Sequence, residues 1–372
     1  GEIIEVGGED LIAEAAYQGI TVVDRQDLVA MPGFVDPHVH LEHQAVGSAR
    51  GVDCRYPTVK SIGDVLDALS SAEPYKGWIL GYGNLFLDQK LAERRLPTRE
   101  ELDSVSKNIP IAVQCGGHVS VLNSAAMQLL PDYVFASGAS GLWGAPRIDR
   151  DACGNPTGVV AEIDGHLPTP KTSLEEREKY IKTAARDRFL KYGVTTLGEM
   201  TESKDSVELY QRLTSSGEIA QRIRSLLMVP AVADEDEAIT IAQAYQNDIA
   251  TSARYAVIGL KVFADGGYSA RNAAVLDDYL PGQGARRHDR GRLNFSYSNT
   301  RHLLKKVREA GVRLAIHTNG SRAQFEALEA IIDSGDPFSH LPVRIEHLGN
   351  VIHDPTIIQL IKRSGVIPVM QP

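Results

Sequence analysis

The sequence predicts an α/β protein built on a (β/α)8 barrel, and two observations lead to that prediction. From residue 171 onward, short apolar runs alternate with amphipathic stretches of helical spacing, and this alternation is typical of parallel βαβ units. In addition, histidines recur at the ends of three of the predicted strands. The carboxyl ends of barrel strands converge on one face, so we expect the functional site on that face.

Seven barrel strands can be assigned, and a closed barrel of this type needs eight. We therefore expect the eighth strand to lie beyond Pro372, and both natural ends of the protein to lie outside this sequence. Ser173 is placed as the N-cap of a helix at 174–192, and Gly193 follows the end of that helix. The predicted strands are 31–40, 194–199, 223–229, 258–263, 313–317, 343–347 and 366–370.

Two other regions have a different texture. Residues 1–30 contain short apolar runs such as Ile3-Ile4 and Ile20–Val23, separated by glycine and acidic residues; this pattern indicates small strands of a minor β-domain. Residues 45–170 are expected to form an insertion after the first barrel strand. Its predicted elements are a loop containing Gly47 and Gly51, a helix at 61–71, strands at 78–82 and 109–114, a helix at 123–130, and loops at 131–170.

Composition narrows the function. The 372 residues carry a net charge of −9, which argues against a nucleic-acid partner and against a polybasic membrane anchor. No apolar run approaches the roughly 20 residues that span a bilayer. The three cysteines, Cys54, Cys115 and Cys153, are widely spaced and indicate a reducing, cytoplasmic compartment.

His38, His40, His317 and His347 all lie at predicted carboxyl ends of strands one, five and six. Side chains at i and i+2 of a strand point to the same side, so His38 and His40 can reach a shared ion. One such histidine alone is better explained as a hydrogen-bonded strand-end residue. Four imidazoles on one face form a nitrogen-rich site suited to zinc or another divalent metal.

Lys261 lies inside Ile258–Phe263, a strand expected to be buried. An unpaired ammonium there is costly, so the group must be partnered, neutralised or modified. A salt bridge to Asp265 and snorkelling to the strand end are two explanations. Carboxylation to a carbamate that bridges two cations is the third, and spacing alone does not choose among them.

These stretches resemble the amidohydrolase superfamily, in the branch that contains N-substituted formamide deformylase (amidohydrolase family 3). The similarity runs from about residue 31 to the end. It rests on Pro32–His40, Gly117-His118 with Asn123–Ala126, Lys261–Gly266, Ile316-His317, Arg344–His347 and Met370–Pro372.

The resemblance implies a distorted TIM barrel over 31–372 beside a small β-sandwich made from both chain termini. It also implies one or two ions per chain. His38 and His40 would bind one cation, Lys261 would be the carbamate bridge, and His317 and His347 would bind the other. The ligand and general base of the family is an aspartate at the end of strand eight, which we expect beyond Pro372; Asp36 and Asp265 are expected to shape the backbone instead.

Three further residues are predicted to bind substrate. By resemblance, His118 of the insertion reaches over the metal face, while Asn123 caps a helix. Arg271 follows strand four, where barrel loops carry substrate contacts, although it could equally brace the Asp277-Asp278 pair. Glu199 ends strand two and faces the same mouth, and its roles as site residue and loop anchor remain equally open.

The predicted function is hydrolysis of a C–N bond of an amide, formamide or cyclic amide by attack of a metal-bound hydroxide. The expected partner is a small-molecule substrate, with a homo-oligomer as a further expectation. The alternatives are a deaminase or ester hydrolase on the same scaffold, and a non-catalytic scaffold protein that lost the chemistry. The residue at the end of strand eight would discriminate the last alternative.

Overall fold

The structure is a computed structural model that describes residues 5–25, 27–135, 146–246, 254–280, 288–335, 340–350 and 354–371. The chain divides into two compact units, Gly1–Phe34 and Val35–Pro372, and each is described by itself. Within the described residues, no helix combines the length and the apolar character that crossing a membrane requires.

Strands and helices are numbered here in chain order. The strands are β1 (Phe34–Val39), β2 (Val52–Asp53), β3 (Ile79–Gly83), β4 (Ile111–Cys115), β5 (Val119–Leu122), β6 (Arg147–Arg150), β7 (Pro156–Ala161), β8 (Val194–Thr201), β9 (Arg222–Met228), β10 (Tyr255–Phe263), β11 (Leu314–His317), β12 (Arg344–Glu346) and β13 (Ile367–Val369). The α-helices are α1 (Glu9–Tyr17), α2 (Leu41–Arg50), α3 (Ile62–Ser70), α4 (Leu87–Lys90), α5 (Arg99–Val105), α6 (Ser124–Met127), α7 (Leu174–Ala184), α8 (Lys204–Ser215), α9 (Glu235–Gln246), α10 (Tyr297–Glu309), α11 (Ser321–Asp333) and α12 (Pro355–Ser364).

The first unit contains helix α1, which the sequence analysis did not predict. The predicted strand at Ile20–Val23 is wrong, because these residues are not in a strand; Ile3-Ile4 lie outside the described residues. Alanine, leucine and glutamate are strong helix formers, and Glu9 and Asp10 in the first turn favour the helix dipole. A strand needs a partner to pair with, whereas a helix satisfies its backbone locally. The β-sandwich stays a prediction.

In the second unit, seven strands form one sheet in the order β1-β8-β9-β10-β11-β12-β13. Neighbouring strands from β8 to β13 pair in parallel. All seven barrel strands that the sequence predicts are present, with ends that differ by a few residues. The six connections between these seven strands all contain helices, and this alternation matches a TIM-like barrel.

The sheet curls almost into a closed barrel. Strands β1 and β12 are five steps apart in strand order, which would separate them by about 24 Å in a flat sheet. Yet His38 Nδ1 of β1 lies 2.6 Å from Glu346 Oε2 of β12, and Arg344 Nη2 donates to the carbonyl oxygen of Pro37 at 2.9 Å. Side chains on the inner face therefore meet across the barrel.

The barrel strands bury side chains on both faces, as parallel sheets do. A large apolar cluster lies between the sheet and its helices; it includes Leu227, Leu260 and Ile316 from strands and Leu303 and Leu328 from α10 and α11. A second, smaller cluster contains strand residues that alternate with the first set. Its buried members are Met200, Leu226, Met228, Phe263 and Ala315.

The insertion is a second sheet, in the order β2-β3-β4-β5-β7-β6. Two predicted loops are wrong. Residues 41–50 form α2, and residues 147–161 contain β6 and β7. Strand β7 pairs with β5, about 40 residues earlier in the chain, so the glycine-rich local composition did not reveal that strand.

Candidate metal centre

Four histidines from three barrel strands lie together at one end of the sheet. The ring centroid of His38 is 5.4 Å from that of His40 and 4.8 Å from that of His347. The ring centroids of His317 and His347 are 4.6 Å apart. His38 and His317 lie at the carboxyl ends of β1 and β11, His40 follows β1, and His347 follows β12. The fold therefore brings together the four imidazoles that the sequence singled out.

His347 has an unusual backbone conformation. Its φ is +67°, in the left-handed region that residues with a Cβ rarely adopt. Holding such a residue there costs about 1–3 kcal/mol and is found most often at functional sites. This conformation turns the chain sharply after β12, and the Glu346 side chain before it faces the barrel interior.

Lys261 lies within reach of this cluster and is fully buried. Among the described residues, its Nζ has no hydrogen-bond partner and lies 4.9 Å from the ring centroid of Phe263. Burial lowers the pKa of Lys261 to about 8, although the nearby Glu346 carboxylate acts in the opposite direction. Because the side chain is inaccessible to solvent, it does not snorkel.

Asp36 and Asp265 accept hydrogen bonds from backbone N–H groups, in agreement with their predicted role of shaping the backbone. Asp36 accepts a hydrogen bond from the backbone N–H of His38 at 3.2 Å. Burial raises the pKa of Asp265 to about 7 even though backbone bonds oppose it. The Asp265 carboxylate accepts from the backbone N–H groups of Ala274, Asn319 and Gly320 at 2.7–2.9 Å. These bonds occupy Asp265, so it makes no salt bridge to Lys261.

Glu346 contacts the histidine cluster, although no role was predicted for it from the sequence. Its carboxylate is fully buried, lies 2.6 Å from His38 Nδ1, and accepts from Arg344 Nε at 2.9 Å. A carboxylate on one nitrogen of a metal-binding histidine fixes the ring and leaves the other nitrogen for the metal. Arg344 and Glu346 are a charged pair at positions i and i+2 of a buried strand. Charged residues in such a strand are unusual, as Lys261 is, and this signal could have identified Glu346.

Burial lowers the pKa of His38, His317 and His347 well below the usual value, and the charge of Lys261 adds to the effect for each of them. These imidazoles therefore stay neutral at neutral pH, which is the protonation state that binds metals.

Glu202, after β8, is a second residue that the sequence analysis missed. Its Oε1 lies 3.6 Å from His40 Nδ1. Burial acts to raise the pKa of Glu202, but the neighbouring His40 imidazole, together with the charges of His43 and Arg177, outweighs it, so the net shift is downward. No local motif marked this residue, because it reaches His40 only through the neighbouring positions of β1 and β8.

The donor chemistry fits a zinc-type ion, but the side chains do not form a ready-made ligand set. Among the described residues, no three His, Cys, Asp or Glu side chains share the geometry to hold an ion. His317 Nε2, for example, faces the Gly266 carbonyl at 3.4 Å and Asp265 Oδ1 at 3.6 Å. The rings must rotate to share an ion, whereas the strands that carry them already converge.

Glu199 anchors backbone. Its buried carboxylate accepts from the Leu41 backbone N–H at 2.7 Å and from the Tyr210 hydroxyl at 2.8 Å. Burial raises its pKa well above the usual value, against these two hydrogen bonds. The bond to Leu41 holds the chain directly after His40 and favours the loop-anchor alternative; substrate binding by Glu199 stays a prediction.

His118 is brought from the insertion to the edge of the histidine cluster, with its ring centroid 6.3 Å from that of His317. Its Nδ1 faces the buried carboxylate of Glu162 at 3.1 Å. Glu162 was not identified from the sequence. Asn123 caps α6 through a hydrogen bond from the Ala126 backbone N–H at 2.9 Å, in agreement with the prediction.

Arg271 is engaged within its own loop. Its Nη2 donates to the Leu280 carbonyl at 2.7 Å, and its guanidinium lies 4.9 Å from the Tyr279 ring centroid. Its acidic neighbour is Asp289, at 3.7 Å, whereas Asp278 pairs with His288 and Arg290. Bracing of the Asp277-Asp278 pair is therefore wrong, and substrate binding by Arg271 stays a prediction.

Comparison with known proteins gives a consistent pattern. A family model described as "Amidohydrolase family" matches residues 21–372. N-substituted formamide deformylase of Arthrobacter pascens is 27% identical over 93% of this chain and 64% of its own length. The exoenzymes regulatory protein AepA of Pectobacterium carotovorum is 31% identical over 45% of this chain and 36% of its own length. This chain thus spans less than two thirds of both curated relatives.

A solved structure agrees at the level of the fold. An uncharacterized metal-dependent hydrolase from Pyrococcus horikoshii superposes with a TM-score of 0.67 and 23% identity, covering 98% of this chain and 67% of that chain. At this identity the similarity concerns the fold alone.

Proposed function

The chain belongs to the amidohydrolase family, and on that premise we propose that it is a metal-dependent hydrolase of C–N bonds in amides, formamides or cyclic amides. The observation that carries the proposal is the convergence of His38, His40, His317 and His347 around the buried amine of Lys261. A structural core would gain nothing from an ammonium without a hydrogen-bond partner, because burying it costs free energy.

His38 and His40 would hold one divalent ion, zinc or a similar metal, and His317 and His347 a second. Such an ion would supply Lewis-acid activation of water and of the substrate carbonyl. Lys261 would join the two sides as a carbamate. Carboxylation needs the neutral amine to attack CO₂ and release a proton, and the lowered pKa of Lys261 makes that form accessible near neutral pH.

Other residues of the chain prepare this site. Glu346 accepts the Nδ1–H of His38, which leaves Nε2 to bind a ligand. Arg344 neutralises Glu346 through two hydrogen bonds, at 2.9 and 3.2 Å, and so reduces the cost of burying that carboxylate. Glu199 holds the backbone after His40. Together these contacts support a site in which His38 and the backbone next to His40 are held in place, while the histidine rings still rotate to share an ion.

The C–N bond as target is supported by the name of the formamide deformylase relative. A deaminase or ester hydrolase would use the same histidines, so the geometry alone does not separate these reactions. The regulatory name of the second relative keeps a non-catalytic scaffold as the rival from another class. The cytoplasmic location and a homo-oligomeric state stay predictions.

The test uses the full natural protein. Metal content is measured by mass spectrometry, and hydrolysis is measured with an N-substituted formamide, a secondary amide, a cyclic amide, an ester and an aminopurine. We expect one or two divalent ions per chain and turnover of at least one of the first three compounds. His347→Ala should abolish both, whereas His302→Ala, on the exposed face of α10, should preserve them.

Three results would contradict the proposal. If the protein contains no metal and shows no activity after zinc or manganese is added, a metal-dependent hydrolase is excluded. Turnover of the ester alone would indicate an ester hydrolase, and turnover of the aminopurine alone would indicate a deaminase. Bound metal without turnover of any compound favours the scaffold protein.

A further inference from the structure

The loop after β10 turns back on itself beside the histidine cluster. Within this loop, the backbone N–H of Asn272 donates to the Gly267 carbonyl at 3.0 Å. A Cβ on Gly267 would lie 2.8 Å from His118 Cγ, and the carbonyl oxygen of Gly266 lies 3.4 Å from His317 Nε2. The loop therefore lies against two histidines, one from the insertion and one from the barrel.

Helix α11, which follows His317, begins without a side-chain cap. Its N-cap residue is Gly320, which has no side chain to accept a hydrogen bond. The first N–H groups of a helix have no partner within the helix. Here the Ala274 carbonyl, from the loop after β10, accepts from the backbone N–H groups of Arg322 and Ala323 at 2.9 and 3.3 Å. The loop thus supplies the cap that the helix lacks.

Asp265 joins the same two segments from its position just after β10. Its Oδ2 accepts from the backbone N–H groups of Ala274 at 2.8 Å and of Gly320 at 2.7 Å. Its Oδ1 accepts from the backbone N–H of Asn319 at 2.9 Å. The carboxylate is fully buried. We call these contacts between Asp265, the Ala274 region of the loop and residues 319–323 the α11 junction.

The contacts of the α11 junction depend on one another. If the loop moved away, the first N–H groups of α11 and the Asp265 carboxylate would lose partners at the same time. Polar groups that lose their hydrogen bonds in a buried position cost free energy. The loop and the start of α11 should therefore open together, as one cooperative unit.

We propose that Asp265 is a positioning residue that fixes the loop after β10 to the N-terminus of α11. The loop thereby becomes a fixed wall of the substrate site, next to His118 and His317. The contact of this wall with a substrate rests on the proposed function. The attachment of the loop does not, because it follows from the backbone hydrogen bonds of the junction.

Two substitutions disrupt the junction in different ways. Asp265→Asn replaces one carboxylate oxygen by an amide NH2 group, which donates and does not accept. In either orientation of the amide, this group faces a backbone N–H of the junction. Gly320→Ala keeps the carboxylate, but its Cβ would lie 2.0 Å from the Ala274 oxygen, so the loop must move away from α11.

Each variant has a matched control in the insertion. Asp103→Asn changes a carboxylate that also holds backbone, because it accepts from the Ser124 N–H at 2.9 Å. Gly63→Ala adds a Cβ whose nearest neighbour, outside its own helix backbone, would be 3.6 Å away, which is an ordinary contact. Neither control touches the loop after β10.

Hydrogen exchange of the full natural protein, without metal or substrate, measures the attachment of the loop. Exchange is read at single residues by fragmentation mass spectrometry at about pH 8.5, above the raised pKa of Asp265, about 7. We expect slow exchange at Ala274, Gly320 and Arg322. Asp265→Asn and Gly320→Ala should accelerate all three by about 10–100-fold, and the controls should not.

Arg322 decides between joint opening and a local effect, because its N–H bonds to Ala274 and does not contact Asp265. Unchanged exchange at Arg322 in folded Asp265→Asn would overturn the proposal. Exchange at the rate of unprotected amides at Ala274 and Arg322 in the natural protein would overturn it as well, even if both variants fail to fold.

Kinetics test the consequence for substrate binding. We expect Gly320→Ala and Asp265→Asn each to raise KM by about 10-fold, with kcat changed by less than about 3-fold, because a wall that contacts substrate and transition state alike affects KM alone. Metal content should not change. The double variant should show no more than the larger single effect, since both substitutions open the same junction.

The same measurements define the contrary results. Unchanged KM, or loss of bound metal, would mean that the junction supports His317 rather than the substrate. Additive effects on KM in the double variant would mean that Asp265 and Gly320 act independently. Either result contradicts the proposal. If the protein hydrolyses none of the compounds tested, the proposed function fails, and hydrogen exchange still decides whether Asp265 fixes the loop to α11.

Discussion

Lys261 in the barrel and Glu162 in the insertion are both buried ionisable side chains near the histidine cluster, yet their surroundings differ. Among the described residues, the Lys261 ammonium has no hydrogen-bond partner. The Glu162 carboxylate has two fixed partners, the Gly267 N–H and His118 Nδ1. The Glu162 carboxylate is therefore satisfied by neighbouring groups, whereas the Lys261 amine is not.

This difference indicates two kinds of polar site. Burying a polar group without a hydrogen-bond partner costs free energy. Such a group is therefore expected where a ligand or a covalent modification supplies the partner. A satisfied network instead fixes the orientation of its members. In the proposed function, the metal ions and the carbamate would supply partners to the barrel residues, whereas the insertion pair already has its partners. The predictions below test that contrast in order of expected effect.

The largest effect is expected from removing barrel histidines. His317→Ala should lower metal content and reduce kcat by about 1000-fold, equivalent to about 4 kcal/mol, because imidazole ligands on two strands must act together. Metal analysis and steady-state kinetics measure both quantities. His302→Ala is the matched control. Retention of full metal and activity by His317→Ala would place the metal elsewhere.

Lys261→Met should stabilise the metal-free protein by about 3 kcal/mol at pH 7, since a pKa lowered from 10.5 to about 8 corresponds to that free energy. Between pH 8 and 10.5 the unfolded chain binds more protons than the folded chain, so the stability of the natural protein rises with pH in this window. The advantage of the variant should shrink over the same range.

Denaturant unfolding at pH 7, 9 and 10.5 measures this advantage, with Lys305→Met as the control because its side chain is 77% exposed. A loss of stability in Lys261→Met at every pH would show that the amine is not an unpaired ammonium. A mass increase corresponding to one CO₂ on Lys261 would then identify a carbamate.

Glu346→Gln should weaken metal binding by about 10–100-fold, because the amide does not support His38 as the carboxylate does. The free energy of unfolding should also fall, since Arg344 loses its charged partner. Competition with a metal chelator measures the affinity. Glu309→Gln, on the exposed surface, serves as the control. Equal affinities in both variants would assign Glu346 to structure alone.

The smallest effect is expected from Arg271→Ala. Loss of one hydrogen bond and of the contact with Tyr279 should cost about 1 kcal/mol of stability. Thermal unfolding measures this cost against Arg290→Ala, which removes an exposed ion pair. A rise in KM without a change in kcat would support substrate binding by Arg271. Unchanged kinetics would restrict Arg271 to its loop.

Regular spacing explains why much of the barrel was predictable. Ser173 caps α7 by accepting from the Glu176 backbone N–H at 3.2 Å, and Gly193 adopts a φ of +80° after Tyr192, as the sequence indicated. Apolar runs with polar ends specify a buried strand and its exit point locally. The strand-end position of each histidine was therefore visible before any tertiary contact was known.

Residues whose partners are distant in sequence escaped prediction. Glu346 lies 308 residues from His38, and Glu162 lies 44 residues from His118. The strand β7 was missed for the same reason, because its pairing partner β5 precedes it by a long segment. The predicted strand at Ile20–Val23 is not formed, and the described residues of the first unit offer it no pairing strand.

The sequence by itself determined the order of the seven barrel strands, the face that carries His38, His40, His317 and His347, and the anomaly of Lys261 in an apolar strand. These properties depend on the period of side chains along one element. Only the tertiary structure decided which carboxylates meet which histidines. The curling of the sheet brings β1 to β12, and the insertion brings Glu162 to His118, and neither closure is encoded within a single stretch of chain.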